Sequence, residues 1–479
     1  MPGKPNVLVI MSDEHDPAVS GPYGDPLCRT PHLDELAAGG VTFENCYTTS
    51  PLCVPARLSF TAGKYVSRIG AWSNSCRLPT ADYPSIARIM TAAGYDSVLV
   101  GKQHYDKSRR YGFTDCCPQG GGNDTVKTGR GGRRDPESKT GNLGMWQERI
   151  AEFFVGDESE SRIMSRDVMR TEAACRFLRE RGEGGGDRPF FLFLGYISPH
   201  FPLVAPRRYH EMYRDKVPMP DLPDDWWDRL ATNTRQQIIG FGVDTRDREI
   251  VKLGRELYWA LTSWMDTEIG KVLATLRQTG LGDDTVVVYT SDHGENKGDH
   301  GMWWKNCVYE HAARIPLIVN YPERWAGSQR RTGACSLVDL VKTIAEVGGA
   351  EVPEDWDGDS LVPWLDDEAH EWKDLAVSEY YGHNVSSGLA MLRTGPWKYV
   401  YHTRMNDKHG PERELFNLED DPGEWNNLAG DPDQASRMEG MHARLVAELG
   451  RDPEEAELEC RALHAAGGYA PEPAQAAAG

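Results

Sequence analysis

The sequence lacks any apolar run long enough to cross a membrane, and hydrophobic residues make up 39% of its 479 residues. A transmembrane helix needs about 20 consecutive apolar residues. Residues 1–6 carry no small-residue cleavage site of the kind found in secretory signals, and they lead directly into the apolar segment 7–11. These absences predict a soluble cytoplasmic protein that has no membrane partner.

Basic residues are also scarce relative to acidic ones. Lysine and arginine together number 53 and aspartate and glutamate 73, so the formal net charge is −20. This charge argues against nucleic acid as a partner, while local fields still allow a small anionic substrate. The ten cysteines are scattered and include no CxxC pair. We therefore expect reduced, mostly structural thiols and no structural zinc site.

Short apolar runs alternate with longer segments of helical pattern through the first two-thirds of the chain. The predicted strands are 7–11, 97–100, 190–194, 286–289 and 317–319, and the predicted helices are 31–38, 84–93, 165–181 and 249–278. Such alternation is typical of an α/β fold in which helices sandwich a large, mostly parallel mixed sheet.

The composition changes after about Trp364. Segments 397–401 and 414–418 read as strands, 420–423 reads as a turn that follows them, and 435–449 reads as a helix. We predict a catalytic α/β domain over 1–370, a small subdomain of antiparallel sheet plus helix over 371–450, and a flexible tail over 451–479. The Gly- and Arg-rich stretch 118–142 is interpreted as a mobile surface loop, with a basic lid over an anionic substrate as the alternative.

The segment 53–57, with the sequence CVPAR, places a thiol and a fixed cation at a predicted helix start. Free backbone N–H groups at a helix N-terminus favour anions, so Cys53 and Arg57 would suit an oxyanion next to a nucleophile. A single cysteine is more often a small buried hydrophobe. The rest of the chain therefore decides between the two interpretations.

Polar residues follow four of the predicted strands. These groups are 12–15 (SDEH), 101–104 (GKQH), 198–200 (SPH) and 291–294 (SDHG), with Lys305 a short loop later. Because ligands bind at the carboxyl ends of strands in open α/β sheets, we expect these groups to meet. Asp13 and Asp292 are the predicted ligands of one divalent cation, and His293 and Glu14 are further candidates. Arg57 and the lysines and histidines would hold an anion against that cation.

These motifs, in this order, resemble the formylglycine-dependent sulfatases of the alkaline phosphatase superfamily. The late segment 414–424 (ELFNLEDDPGE) also matches, and residues 63–74 are locally similar to bacterial choline sulfatases. Ala56 stands where serine is commoner in the family, and Glu14 where aspartate or glutamine is common. The resemblance implies an alkaline phosphatase-like fold and hydrolysis of a sulfate ester to an alcohol and inorganic sulfate.

The resemblance also implies the roles of individual residues. A maturation enzyme would oxidise Cys53 to formylglycine, whose hydrate attacks sulfur with the help of one divalent cation, Ca²⁺ first and Mg²⁺ or Mn²⁺ as alternatives. The implied metal ligands are Asp13, Glu14, Cys53, Asp292 and His293. The implied catalytic residues are Cys53, Arg57, Lys102, His104, His200 and Lys305. The implied substrate contacts are Asn74, Lys102, His200 and Lys305.

Two other functions stay open at this point. A phosphonate monoester or phosphodiester hydrolase would use the same site, because a tetrahedral anion beside a cation does not distinguish sulfur from phosphorus. A non-enzymatic scaffold that keeps the fold is the third interpretation. The alcohol half of the ester stays open among aryl, choline-like and sugar sulfates, and a homo-oligomer is compatible with the sequence.

Overall fold

The computed structural model describes residues 4–105, 109–117, 133–141 and 143–466. Its strands are β1 (Asn6–Asp13), β2 (Val41–Tyr47), β3 (Asp96–Gly101), β4 (Thr114–Asp115), β5 (Phe154–Val155), β6 (Phe190–Pro199), β7 (Val204–Ala205), β8 (Thr285–Ser291), β9 (Arg314–Asn320), β10 (Gln329–Ser336), β11 (Ala376–Tyr380), β12 (Leu389–Thr394), β13 (Trp397–His402) and β14 (Glu412–Asn417). Its α-helices are α1 (Pro31–Ala38), α2 (Cys53–Ala62), α3 (Ile86–Ala92), α4 (Leu143–Ile150), α5 (Arg162–Gly182), α6 (Arg207–Tyr213), α7 (Trp226–Arg229), α8 (Thr232–Phe241), α9 (Arg248–Gln278), α10 (Glu310–Ala313), α11 (Leu337–Val347), α12 (Val362–Asp366), α13 (Ala435–Leu449) and α14 (Pro453–Ala465).

Eight strands form one large mixed sheet in the order β10-β2-β9-β8-β1-β6-β3-β4. Strand β9 runs antiparallel to both of its neighbours, and the other pairs are parallel. Helices cover both faces, so the predicted α/β class with a mostly parallel mixed sheet is confirmed. In this order β8, β1, β6 and β3 are adjacent, which brings their carboxyl ends to one edge.

The central strand β1 shows why the first apolar run becomes a strand buried on both faces. Leu8 and Ile10 belong to the core that includes residues of α1, α5 and α9. Val7 and Val9 point to the opposite side, into the core that includes residues of α2, α3 and α11. Successive side chains of a strand point to opposite faces, so a strand covered on both sides needs an unbroken apolar run.

A second, antiparallel sheet has the order β11-β12-β13-β14, as predicted for the C-terminal part. Tyr399 and Leu415 pack with Met441 and Leu445 of α13 on one side of this sheet. On the other side, Met391 and other sheet residues pack against residues that include Tyr47 and Leu52 of the large domain. The boundary at 370/371 stays a prediction; the second sheet begins at Ala376.

The predicted flexible tail needs a correction. Helix α14 occupies Pro453–Ala465, and its Ala456 and Cys460 are fully buried in a cluster with Trp72 and Tyr381. The prediction extended back to 451 what the alanine-, proline- and glycine-rich composition of 467–479 indicates. It missed the Asp452 cap, whose side chain accepts the Glu454 N–H. The remainder, 467–479, lies outside the described residues.

The predicted loop 118–142 lies mostly outside the described residues, so its two interpretations, a mobile surface loop and a basic lid, both stay predictions. Its described part is anchored: Arg133 forms an ion pair with Glu457 and donates to the Tyr381 carbonyl at 2.8 Å. The Arg134 Nε–H donates to Gln236 Oε1 at 3.1 Å. Among the described helices, none is both long and apolar enough to span a membrane.

A buried ion cluster joins the second sheet to the large domain and gives a test of the fold. Lys398 of β13 lies 3.0 Å from Glu310 Oε1 and 2.6 Å from Glu424 Oε1, and its side chain is fully buried. Lys398→Ala would leave two buried carboxylates without this cation, so we expect unfolding free energy to fall by about 3 kcal/mol. Urea denaturation measures it.

The exposed residue Lys408 provides the matched control for this substitution. Lys408→Ala should change the unfolding free energy by less than about 0.5 kcal/mol. Equal losses in the two variants would show that the Lys398 cluster does not hold the second sheet to the large domain.

Candidate active site

The predicted strand-end residues meet at one edge of the large sheet. Asp13 ends β1, Asp292 follows β8, Lys102 follows β3 and His200 follows β6. Because these four strands are neighbours in the sheet, the side chains converge although up to 279 residues separate Asp13 from Asp292 (292 − 13). Asp13 and Asp292 are fully buried.

Cys53 is the first residue of α2 and faces this edge. Its Sγ lies 3.6 Å from Asp13 Oδ1 and 3.1 Å from His293 Nε2. Asp13, Cys53, Asp292 and His293 each offer a ligand atom, and these atoms lie within 4.8 Å of one another. Burial, reinforced by Asp13, raises the pKa of the Cys53 thiol to about 12. The unmodified thiol is therefore a weak nucleophile at neutral pH.

Arg57 lies one helical turn after Cys53 and joins the two aspartates. Its Nε–H donates to Asp292 Oδ2 at 2.7 Å, and its Nη2 lies 3.3 Å from Asp13 Oδ2. The Nη1–H donates to the Lys102 carbonyl at 2.8 Å. Burial by itself lowers the pKa of the guanidinium, but the two carboxylates outweigh it and raise that pKa above its ordinary value. One fixed cation therefore holds the ends of three strands.

Asp13 is ionised by the cations around it. Its Oδ2 forms an ion pair with Lys102 as well as with Arg57. Burial acts to raise the pKa of Asp13, but the charges of Lys102 and Arg57 oppose it and hold that pKa well below its usual range. An ionised carboxylate at the end of β1 is the form that a metal ligand requires.

The Glu14 carboxylate lies beside Lys305 and His200, outside the group of possible ligands that contains Cys53. Its backbone adopts a positive φ of 67°, which is uncommon for a residue other than glycine. Its carboxylate lies 2.9 Å from Lys305 Nζ and 3.4 Å from His200 Nε2, without an aligned hydrogen bond to any described residue. Burial raises the pKa of Glu14 to about 8 against the Lys305 charge. Asp13, Glu14 and His200 form a second group of possible ligands within 4.8 Å.

Lys305 and His200 form the anion-facing side of the site. Lys305 Nζ lies 3.2 Å from His200 Nε2 and 5.3 Å from the centre of the Phe201 ring. The His200 Nδ1 faces the Phe201 carbonyl, so the neutral ring carries its proton on Nδ1 and accepts at Nε2. Burial and the Lys305 charge lower the pKa of His200 well below its ordinary value.

His104 reaches the site from the end of β3 with a positive φ of 60°. Burial and the neighbouring Lys102 lower its pKa well below the ordinary histidine value. A neutral imidazole can accept a proton, which suits the role of base that the family resemblance implies.

Asn74 has a definite structural contact. Its Oδ1 accepts the Val54 N–H at 3.0 Å, which satisfies one of the free donors at the start of α2. This contact fixes the first turn of the helix that carries Cys53. The predicted contact of Asn74 with the substrate stays a prediction.

Sequence reasoning missed a buried network beside the predicted ligands. Asp16 Oδ2 lies 2.6 Å from Lys297 Nζ and 2.7 Å from His311 Nδ1. Glu295 accepts the Lys297 N–H at 2.9 Å and lies close enough to Glu14 to raise the pKa of its carboxyl. The available signal was the dense polar run 291–300, of which only the first residues were interpreted.

The arrangement combines two chemical capacities. A buried group of carboxylate, imidazole and residue 53 ligand atoms suits a divalent cation. Lysine and histidine side chains next to it suit the oxygens of a tetrahedral anion. Among the described residues, both capacities converge at Cys53, at the start of α2.

Comparison with known proteins identifies the family. The Sulfatase family model matches residues 5–350, and a second model, N-sulphoglucosamine sulphohydrolase, C-terminal, matches 298–450. The choline-sulfatase of Rhizobium meliloti (strain 1021) is 30% identical over 441 residues, covering 90% of this chain and 83% of that protein. Arylsulfatase K of Canis lupus familiaris is 28% identical over 468 residues, covering 89% and 79%.

A solved structure shares the fold of this chain. The phosphonate monoester hydrolase from Silicibacter pomeroyi superimposes with a TM-score of 0.72 at 26% identity, covering 92% of this chain and 94% of that one. The family resemblance inferred from the motifs is confirmed. The chain belongs to the sulfatase family and is a sulfatase enzyme.

Proposed function

We propose that this enzyme hydrolyses an organic sulfate ester to an alcohol and inorganic sulfate, with residue 53 as its nucleophile. The observation that carries the proposal is the position of the Cys53 side chain, in contact with Asp13 and His293. Its relatives are named for sulfatase activity, which supports sulfate as the group transferred.

Asp13, Glu14, Asp292, His293 and residue 53 are proposed to hold one divalent cation. The fit rests on the buried ligand atoms and on the Glu14 carboxylate, which lacks an aligned hydrogen bond to any described residue. Oxygen ligands favour Ca²⁺, with Mg²⁺ and Mn²⁺ as alternatives, since His293 adds a nitrogen. The bound cation would favour the ionised form of a hydroxyl on residue 53 and offset charge on the anion.

Cys53 is proposed to be converted to formylglycine by a maturation enzyme. A hydrated aldehyde carries two hydroxyls on one carbon, one to attack sulfur and one whose loss of a proton expels sulfate as the aldehyde re-forms. His104, neutral because of burial and Lys102, is the proposed acceptor of that second proton.

The cations have separate proposed roles. Arg57 holds Asp13 and Asp292, and Lys102 orients the hydroxyls of residue 53 beside Asp13. Lys305 is proposed to donate to the sulfate oxygens, and His200 to do so when its Nε2 is protonated; one of the two supplies a proton to the leaving alcohol oxygen. Asn74 is proposed to contact the anion through its amide nitrogen while its oxygen holds the Val54 N–H.

A phosphonate monoester or phosphodiester hydrolase is the second candidate. The likeness to the Silicibacter pomeroyi phosphonate monoester hydrolase favours it, because that protein is named for phosphonate cleavage and shares the fold. Its substrates present the same tetrahedral anion to the same set of side chains.

Maturation of residue 53 gives the first test. We expect the peptide that contains residue 53 to be lighter than the thiol form, in protein from a host that has the maturation enzyme. Cys53→Ala should lower kcat/KM by at least about a thousandfold, because the covalent route is lost. Full turnover by protein with an intact thiol would contradict the proposal.

Metal binding gives the second test. Asp292→Asn removes a charged ligand, so we expect the affinity for Ca²⁺ or Mn²⁺ to fall at least about tenfold by calorimetric titration. Asp266→Asn is the control, since Asp266 is equally buried but accepts the Leu33 N–H at 2.9 Å outside the site. Equal metal affinity in both variants would remove Asp292 from the proposed ligands.

A paired substrate comparison separates the two candidate functions. We expect kcat/KM for an aryl sulfate to exceed that for an aryl phosphonate monoester by at least about tenfold, measured on one matured, metal-loaded preparation. A phosphonate preference of several orders of magnitude would reassign the reaction and keep the same residues in the site.

A further inference from the structure

Lys305 lies in a short loop, and hydrogen bonds hold the loop on both sides of this residue. Trp304 and Asn306, the residues on either side of it, have positive φ values of 67° and 79°. Such conformations are unfavourable for side chains other than glycine and persist only where neighbouring contacts enforce them. The contacts that hold Trp304 come from Glu295 and Asn296, shortly after the proposed metal ligands Asp292 and His293.

Asn296 and Glu295 hold both backbone groups of Trp304. The Asn296 backbone N–H and its side-chain Nδ2 both donate to the Trp304 carbonyl, at 2.7 Å and 2.8 Å. The Glu295 carboxylate accepts the Trp304 N–H. Asn296 and Glu295 are both almost fully buried, at 0% and 2% exposure. The peptide units flanking Trp304 are therefore fixed, and Lys305 follows from them directly.

The other end of the loop is hydrogen-bonded to the segment that precedes Cys53. The Asn306 N–H donates to the Pro51 carbonyl at 3.2 Å, two residues before Cys53. The Tyr380 hydroxyl donates to Asn306 Oδ1 at 3.0 Å. Lys305 is thus fixed on one side to the metal-ligand segment and on the other to the segment that leads into Cys53.

We propose that Asn296, with Glu295, is a positioning residue that aims the Lys305 ammonium at the anion held beside residue 53. This inference rests on the proposed function, because it assumes that Lys305 binds the sulfate oxygens. With the backbone of the loop held in this way, Lys305 Nζ lies 2.9 Å from Glu14 Oε1 and 3.2 Å from His200 Nε2. A lysine side chain has four rotatable bonds, so a displaced backbone would spread its ammonium over many positions.

Asn296 is the better residue to substitute. Glu295 also lies against Glu14, a proposed metal ligand, so its loss would disturb two functions at once. The Asn296 side chain contacts the Trp304 carbonyl and, through Oδ1, the Cys307 thiol at 3.5 Å. Asn296→Ala therefore removes one of the two donors to the Trp304 carbonyl, which loosens the Lys305 loop and leaves the proposed ligand set in place.

A double-mutant cycle with Lys305→Ala tests the inference. The readout is the Kd for inorganic sulfate and for inorganic phosphate, measured by calorimetry on matured, metal-loaded protein. We expect Asn296→Ala to weaken sulfate binding about tenfold in the wild-type background. In the Lys305→Ala background, the same change should weaken it less than about twofold, because the residue acts through Lys305. KM for the ester should rise in parallel.

The matched control is Asn233→Ala. Asn233 is equally buried, and its side chain donates to the Ser387 carbonyl at 3.1 Å and accepts the Ser386 N–H at 2.8 Å. We expect it to lower Tm as Asn296→Ala does while the sulfate Kd changes less than about twofold. If Asn296→Ala does not fold, Asn296→Asp keeps the side-chain size, replaces the donor with an oxygen that repels the Trp304 carbonyl, and should weaken anion binding at least as much.

Different results overturn different claims. Equal losses from Asn296→Ala in both backgrounds, or an unchanged Kd with a lowered Tm, would overturn the positioning role and leave the proposed function intact. Wild-type protein that binds neither anion and turns over no sulfate ester would overturn the proposed function and this inference together.

Discussion

The site depends on one buried contact, the Arg57 guanidinium between the carboxylates of Asp13 and Asp292. All three side chains have no solvent exposure, and the ionised carboxylate of Asp13 depends there on compensating positive charge. Breaking such a buried pair typically costs about 3–5 kcal/mol, because a charge remains without a partner. The same guanidinium reaches the Lys102 carbonyl, and its helix begins at Cys53. A single residue therefore links three strand ends to the helix that begins with Cys53, the proposed nucleophile.

This geometry is also an electrostatic arrangement. Lysines and arginine keep Asp13 ionised, while burial leaves His104 and His200 neutral. Fixed cations thus surround the proposed anion site, and neutral imidazoles remain available to accept protons. The net charge of −20 gives no indication of this, since it sums all the charges of the chain, whereas the site is a buried cluster rich in positive charge.

The second sheet contributes to the site as well as to stability. The segment that carries Lys305 falls within the part of the chain matched by the C-terminal family model, 298–450. Tyr380 at the end of β11 bonds to Asn306, and the Glu379 N–H donates to the Thr49 carbonyl at 2.9 Å. The C-terminal part therefore supports the two loops that bring Lys305 and Cys53 together.

The sequence predicted the large sheet and the residues that gather at its edge, because buried parallel strands are continuous apolar runs and their polar endings must meet. It did not reveal strands such as Val41–Tyr47, whose Thr42 and Glu44 interrupt the apolar pattern. Nor did it reveal helix α14, because the low-complexity composition of 467–479 was extended back over the segment that forms it. The position of the Glu14 carboxylate and the hydrogen bonds to the Trp304 backbone could not be predicted, because both depend on positive φ values enforced by distant contacts.

Anomalous diffraction from crystals of the matured protein with Mn²⁺ and inorganic sulfate tests the central claim most directly. The account predicts one anomalous peak within about 2.5 Å of oxygens from Asp13, Asp292 and residue 53, with the sulfate between that ion and Lys305. An ion bound elsewhere, or a residue 53 side chain directed away from both aspartates, would contradict it.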